Sequence, residues 1–382
     1  MGQGTGTPSV SVDVSANNLQ RQIDKIDAVG AIVGTSAANI GVVNKVYSLT
    51  DAVNKGYTLE DAPNIYKALK LFYNELGGST KLYVMGVEET MTITQMLTAS
   101  NANGIKKLLL AGKDITHVFL TRKPVDGYDP GEDFLDQDIP AALLAGKTLH
   151  QYQQTVNRPF RSIIDGRLNN ITADLYEPNT ADNTYSMVIL GNDVDGNSLG
   201  ALALARTVKY GADVKIGDGL KGPLSIAEAY IGDTKIEDFY PEQLDEFADA
   251  GFCLIHQRDG LGGYYFARDN MAGNDDFHIL VFGSLIDKAQ RIATATSTPL
   301  LETKVRIARD GTINDADAKY LEEQETHQLL AQMAGQISGA EVIVPTNQNL
   351  IETSNLGQTV KILPDGYLTW ITIQMGLTSN LS

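Results

Sequence analysis

The chain has 382 residues, 43% hydrophobic and 20% charged, which supports a packed fold of more than one domain and argues against disorder. A formal net charge of −17 without a long Lys/Arg run disfavours nucleic acid or an anionic membrane as partner, since both call for clustered positive charge. The single cysteine, Cys253, rules out an intramolecular disulfide and a Cys-rich zinc site, and reads as a small core residue.

The opening "MGQGTGTPSVSVDV" holds neither a basic n-region nor an apolar h-region, and no later stretch reaches the ~18 apolar residues of a membrane span. The expectation is a protein made in the cytoplasm, with no membrane insertion. Ser9 to Ser15 alternates cleanly, with Val10, Val12 and Val14 on one face, and predicts a half-buried strand. From Asp27 strands and helices alternate. "AVGAIVGTS" predicts a buried strand, "APNIYKALKLFYNEL" a helix stopped by the glycines of "NELGGST", and "TKLYVMGV" a strand. "ANGIKKLLLAGKD" predicts a helix leading into the strand "ITHVFLT", and "RKPVDGYDPGEDFLDQD" a surface loop. "IPAALLAGKTLHQYQQTV" follows as helix, "RPFRSIIDGR" and "YSMVILGN" as strands, and "SLGALALARTVKYG" as a small-residue helix suited to close packing. The acidic helix "YPEQLDEFADAG" runs into "FCLIHQRDG" and "GYYFARDNM", two strands joined by a glycine-rich turn.

After Phe277 the pattern changes to a helix over Ile279 to Ala295, a charged turn-rich stretch to Ala316, a helix over Ala318 to Gly335, and "AEVIVP". The chain closes with a predicted hairpin: Thr359 to Leu363, the turn Pro364-Asp365-Gly366, then Tyr367 to Met375. Its second strand carries Ile371 and Ile373 on one face, Leu368 and Trp370 on the other. The predicted fold class is α/β to α+β: a mixed-sheet main domain (28–277), a smaller C-terminal α+β domain (278–358), and extended strand arms at both ends (1–27 and 359–382).

Motifs that resemble chemistry are weak. Gly217 to Gly222 has the spacing G-x-G-x-x-G, but Pro223 follows where a pyrophosphate-binding helix should open. Asp193, Asp195 and Asn197 alternate like calcium ligands, yet the register puts Leu202 where the bidentate glutamate belongs, so a polar turn is expected. His117, His150, His256, His278 and His327 are scattered without metal-ligand spacing, and Glu322, Glu323 and Glu325 lie on a charged helix. Neither an enzyme activity nor a cofactor is expected. The alternative is a nucleotide-binding α/β enzyme using the Gly217 to Gly222 loop.

Several stretches taken together resemble the sheath proteins of contractile phage tails and injection systems. They are "AVGAIVGTS" with "VYSLTDA", "GGSTKLYVMGV", "RPFRSIIDGR", "MVILGND", "GALALARTVKYGADVKIG" and "EFADAGFCLIHQRDGLGGYYFARDNMA". In the last, Gly251, Phe252, Gly263, Tyr264, Tyr265, Arg268 and Asp269 occupy the positions that carry the likeness, and "ISGAEVIVP" and "YLTWITIQMGL" resemble the end of the family's inner domain. "DGTINDADAKYLEEQ" departs from the family pattern. The resemblance implies a subunit that polymerises helically with copies of itself around an inner tube protein, with baseplate and tail terminator proteins as further partners. It would end up in an assembled phage tail or injection particle. It also implies arms that add strands to neighbours, through Val10, Val12, Val14, Leu368, Trp370, Ile371 and Ile373. Lys304, Arg306, Arg309, Lys319, Glu322 and Glu323 are the tube-facing candidates by location.

Overall fold

A computed structural model describes residues 27–123, 133–370 and 372. In chain order the first half runs β1 (Gly30–Thr35), β2 (Val43–Val46), α1 (Leu49–Asn54), α2 (Pro63–Leu76), β3 (Leu82–Val87), α3 (Ile93–Leu97), α4 (Ile105–Ala111), β4 (His117–Thr121), α5 (Asp138–Thr155), β5 (Arg161–Asp165) and β6 (Ser186–Leu190). It continues through β7 (Asn192–Asp193), α6 (Gly200–Lys209), β8 (Ala229–Ile231), β9 (Thr234–Lys235), α7 (Pro241–Asp249), β10 (Cys253–Arg258) and β11 (Leu261–Phe266). The last part holds α8 (Leu280–Ser297), α9 (Asp315–Gln332), β12 (Ile337–Ile343), α10 (Leu350–Thr353) and β13 (Thr359–Pro364).

Eight strands form one mixed sheet in the order β11-β10-β6-β5-β4-β1-β3-β2, parallel except at its two edges, where β2 and β11 run antiparallel to their neighbours. Every residue of β1, β3, β4, β5 and β6 is buried, as near-continuous apolar runs with helices on both faces require. Helices α2 and α6 pack together over β1, and α3 and α5 pack together elsewhere on the sheet. The small residues of α6 have a concrete reason: a Cβ on Gly200 would lie 2.2 Å from a ring carbon of Phe119 on β4. A buried ion pair, Arg206 Nε to Glu75 Oε1 at 2.6 Å, ties α6 to the end of α2, and Gly77 ends α2 in the left-handed conformation.

The second lobe is a two-stranded antiparallel sheet, β12 with β13, lying on α8 and α9 around Val281, Leu285, Ala289, Ile292, Leu329, Met333 and Val342. Helix α8 serves both lobes. Its other side carries Asp287, which takes the fully buried Arg161 of β5 through Nε at 2.8 Å and Nη2 at 2.9 Å. Arg161 also donates to Thr184 O at 2.7 Å and Gly283 O at 3.1 Å, and a Cβ on Gly283 would sit 2.4 Å from its Cζ.

Three expectations need correction. The 359–364 strand pairs with β12 and not with the run after the turn, so the boundary placed at 358/359 cuts through a sheet; residues 365–370 form no strand. The strand expected through Met271 stops at Phe266. A small third sheet, β7-β8-β9, was not expected: its first strand begins at Asn192, the last residue of the predicted strand "YSMVILGN", and its other two strands lie where no strand was read. Val10, Val12, Val14, Ile371 and Ile373 lie outside the described residues.

Candidate functional site

Strand β12 follows α9 after a short turn at Gly335, and the helix lies along one of its edges. Two side chains of α9 cap that edge: Thr326 Oγ1 accepts the Val342 N–H at 3.2 Å, and Glu322 Oε1 accepts the Val344 N–H at 2.8 Å. In an antiparallel ladder opposed residues either exchange both bonds or turn both groups outward. Because Val342 opposes Val360 and Ala340 opposes Ile362, the backbone groups of Val360 and Ile362 point away from β12, to the open side of β13. No other strand among the described residues pairs there. The side chains of Val360 and Ile362 pack inward on α8 and α9, while Thr359, Lys361 and Leu363 are exposed. Lys361 crosses to Glu341 at 3.0 Å, and Pro364, with no N–H, ends the ladder.

The chain then turns back to the main lobe. Ser338 donates to Asp365 Oδ1 at 2.5 Å, and the Tyr367 hydroxyl donates to Asp213 O at 2.7 Å with its ring 6.0 Å from that of Phe282. Burial pushes the Tyr367 phenol far above its ordinary range, and the carboxylates Asp213, Asp269 and Asp365 add to this. Beyond this anchor the apolar residues face solvent: Leu368 is 88% exposed and Trp370 75%, the latter with its ring 5.3 Å from the Arg268 guanidinium. An open strand edge and exposed apolar side chains beside it are what a strand-exchanging surface presents.

Of the tube-facing candidates, Glu322 is 9% exposed and is held by Lys319 and by the Val344 N–H. Arg306 is exposed but its guanidinium and backbone N–H are bound to Asp317. Lys304, Arg309, Lys319 and Glu323 are exposed.

Gly217 to Gly222 opens no α-helix. Asp218 caps a single 3-10 turn, Arg258 donates to Gly217 O at 2.6 Å, and Arg206 donates to Gly222 O and Pro223 O, each at 2.8 Å. The loop's carbonyls are thus tied to the protein itself. Asp193 accepts the N–H groups of Asp195 and Asn197 at 3.0 and 2.8 Å, which is the polar turn expected there. His117 and His150 are buried, held neutral and down at about 3 by burial and by the nearby Arg161 charge. His117 meets Ser284 Oγ at 3.1 Å and His150 meets Ser162 Oγ at 3.0 Å. No group of His, Cys, Asp and Glu among the described residues could hold a metal, and no helix among them is long and apolar enough to cross a membrane.

The chain shares its overall fold with solved sheath and baseplate chains of contractile injection systems. The anti-feeding prophage (AFP) helical sheath in its contracted state matches with a TM-score of 0.62 at 15% identity, covering 99% of this chain and 100% of that one. The PVC sheath complex of an extracellular contractile injection system, also contracted, matches at 0.60 and 12%, covering 99% of each chain. A chain of the AFP baseplate matches at 0.64 and 14%, covering 98% of this chain and all of its own. No protein-family model matches the sequence, and no curated protein matches it significantly.

Proposed function

We propose that this chain is the structural subunit of a contractile sheath, which polymerises as a helical tube around an inner tube and contracts to drive that tube through a target envelope. The observation that carries the reading is the open edge of β13 beside a tail that leaves the body with Leu368 and Trp370 exposed. The fold shared along nearly the whole chain with the contracted AFP and PVC sheaths supports it. A strand from a neighbouring copy, supplied by the Val10, Val12, Val14 segment or by the tail with Leu368, Trp370, Ile371 and Ile373, bonds to the outward backbone groups of Val360 and Ile362. Such a contact is head-to-tail, and a head-to-tail contact that does not close generates a helix.

In this reading the subunit is no enzyme and uses no cofactor; contraction follows from a larger interface in the final lattice. Lys304, Arg309, Lys319 and Glu323 are the exposed residues left to meet the inner tube, in weak salt-sensitive pairs suited to release. Baseplate and terminator proteins cap the two ends. The subunit is made in the cytoplasm before it joins the particle.

The test is electron microscopy of the purified chain and of a variant lacking Met1 to Ser15. Hollow tubes of uniform width from the full chain, with folded single subunits from the truncated one, are expected. Tubes formed equally well by the truncated chain overturn the role given to the N-terminal strand. Globular particles alone, with an inner tube protein present, overturn the sheath reading.

A further inference from the structure

Where the described chain begins and where its tail leaves the body, both ends meet the same short loop, Gly211 to Lys215, which follows α6. At the N-terminal side, the Asp27 carboxylate is 8% exposed and accepts the Ala212 N–H at 3.3 Å, together with bonds from Lys288 of α8 and Gln336 just before β12. At the C-terminal side, Asp213 O accepts the Tyr367 hydroxyl, and Lys215 lies 5.5 Å from the centre of the Tyr367 ring. Lys215 also reaches Asp269 Oδ1 at 3.4 Å, while Asp269 Oδ2 is buried with no partner. Two consecutive residues, Ala212 and Asp213, therefore hold opposite ends of the described chain, one through its N–H and the other through its C=O.

The loop has little freedom to serve one end without the other. Val214 N–H closes it on Gly211 O at 3.0 Å. A Cβ on Gly211 would lie 2.5 Å from Asp213 Oδ1, 3.0 Å from Gln336 Nε2 and 3.3 Å from Asp27 Oδ2, so the glycine lets the loop and the bonds around Asp27 come together. Ala212 itself packs, with Tyr367, on the core of the second lobe. A shift of this turn that releases one bond moves the partner atom of the other.

We infer that the 211–215 loop is a common clamp that couples Asp27 and Tyr367, near the two ends of the described chain, so that freeing one loosens the other. The inference rests on the sheath reading only in taking those ends as the strand-exchanging arms; the coupling itself is a property of the single subunit. Its consequence in a polymer is that a neighbour that draws out one arm prepares the other for exchange, which makes addition of successive copies cooperative.

The full chain is tested at a concentration where it is a single subunit, with circular dichroism confirming that each variant is folded. Trp370 is the only tryptophan, so its fluorescence anisotropy reports the tail. Exchange of the Ala212 amide hydrogen reports the N-terminal knot. Tyr367→Phe, a change at the tail, is expected to speed exchange at Ala212 by about two- to tenfold, the worth of one hydrogen bond. Asp27→Asn, a change at the other end, is expected to lower the Trp370 anisotropy. Gly211→Ala should do both. Coupling is reciprocal, so absence of either cross-effect overturns the clamp. If both cross-effects appear but the chain forms no tubes, the clamp stands and the sheath reading fails.

Discussion

Removing Asp287 should unseat the C-terminal lobe from the main one. Arg161 is fully buried and makes four bonds, two of them charge-assisted to Asp287 and two to the carbonyls of Thr184 and Gly283. Asp287→Ala deletes the counter-charge and leaves the guanidinium unpaired in a site sealed by α8 and away from water. Breaking a buried pair from one side costs about 3–5 kcal/mol. At the ~2–4 °C per kcal/mol of a 150–250-residue domain, the melting temperature should fall by roughly 6–20 °C. The assay is thermal and urea unfolding followed by circular dichroism, on Asp287→Ala, Arg161→Met and the double variant Arg161→Met/Asp287→Leu. The double variant should be more stable than either single one, because no charge is then stranded. A loss below ~1 kcal/mol in Asp287→Ala would refute the reasoning.

The remaining predictions are smaller or more local. His117 and His150, with folded pKa values of about 3 against about 6.5 when unfolded, bind protons more readily in the unfolded chain. Their stabilisation is therefore complete above pH 6.5 and lost as pH falls toward 3, with about 1 kcal/mol lost per histidine between pH 6.5 and 5.5. Asp213 and Glu325, whose carboxyls burial pushes up, offset part of this, so urea midpoints of His117→Asn and His150→Asn against wild type across pH 7 to 5 isolate the effect. Gly200→Ala should cost about 1–3 kcal/mol by forcing Phe119 off its seat, read as a lower urea midpoint with unchanged slope. Thr326→Val should uncap the Val342 N–H and cost about 1 kcal/mol, with faster amide exchange confined to β12.

The parallel sheet was legible because strands buried on both faces need unbroken apolar runs, and "AVGAIVGTS", "ITHVFLT" and "YSMVILGN" have them. The antiparallel β10 and β11 were legible from their glycine turn. Other features depend on contacts far along the chain. Pro364-Asp365-Gly366 has the composition of a hairpin turn, but the partner of Thr359 to Leu363 is chosen by Val342 and the helices beneath it, and Asp365 is held by Ser338. Glu322 looks like any surface glutamate in "KYLEEQ"; only the β12 edge that arrives later reveals why it is buried. Strand β2 and the β7-β8-β9 sheet have too few residues to show a period. In the candidate site, the exposed Trp370 was visible in the sequence as an apolar residue in need of cover, whereas the proposed clamp at 211–215 carried no sequence signal beyond one glycine.

Helix α8 is shared, with apolar residues in the core of one lobe and a bidentate carboxylate in the other. Under load, such a helix is a welded joint. A force applied to the two-stranded lobe reaches the large sheet through Arg161 without a compliant element in between. If the subunits assemble as proposed, strain between neighbouring copies falls on the contacts between them and not on the joint between the two lobes.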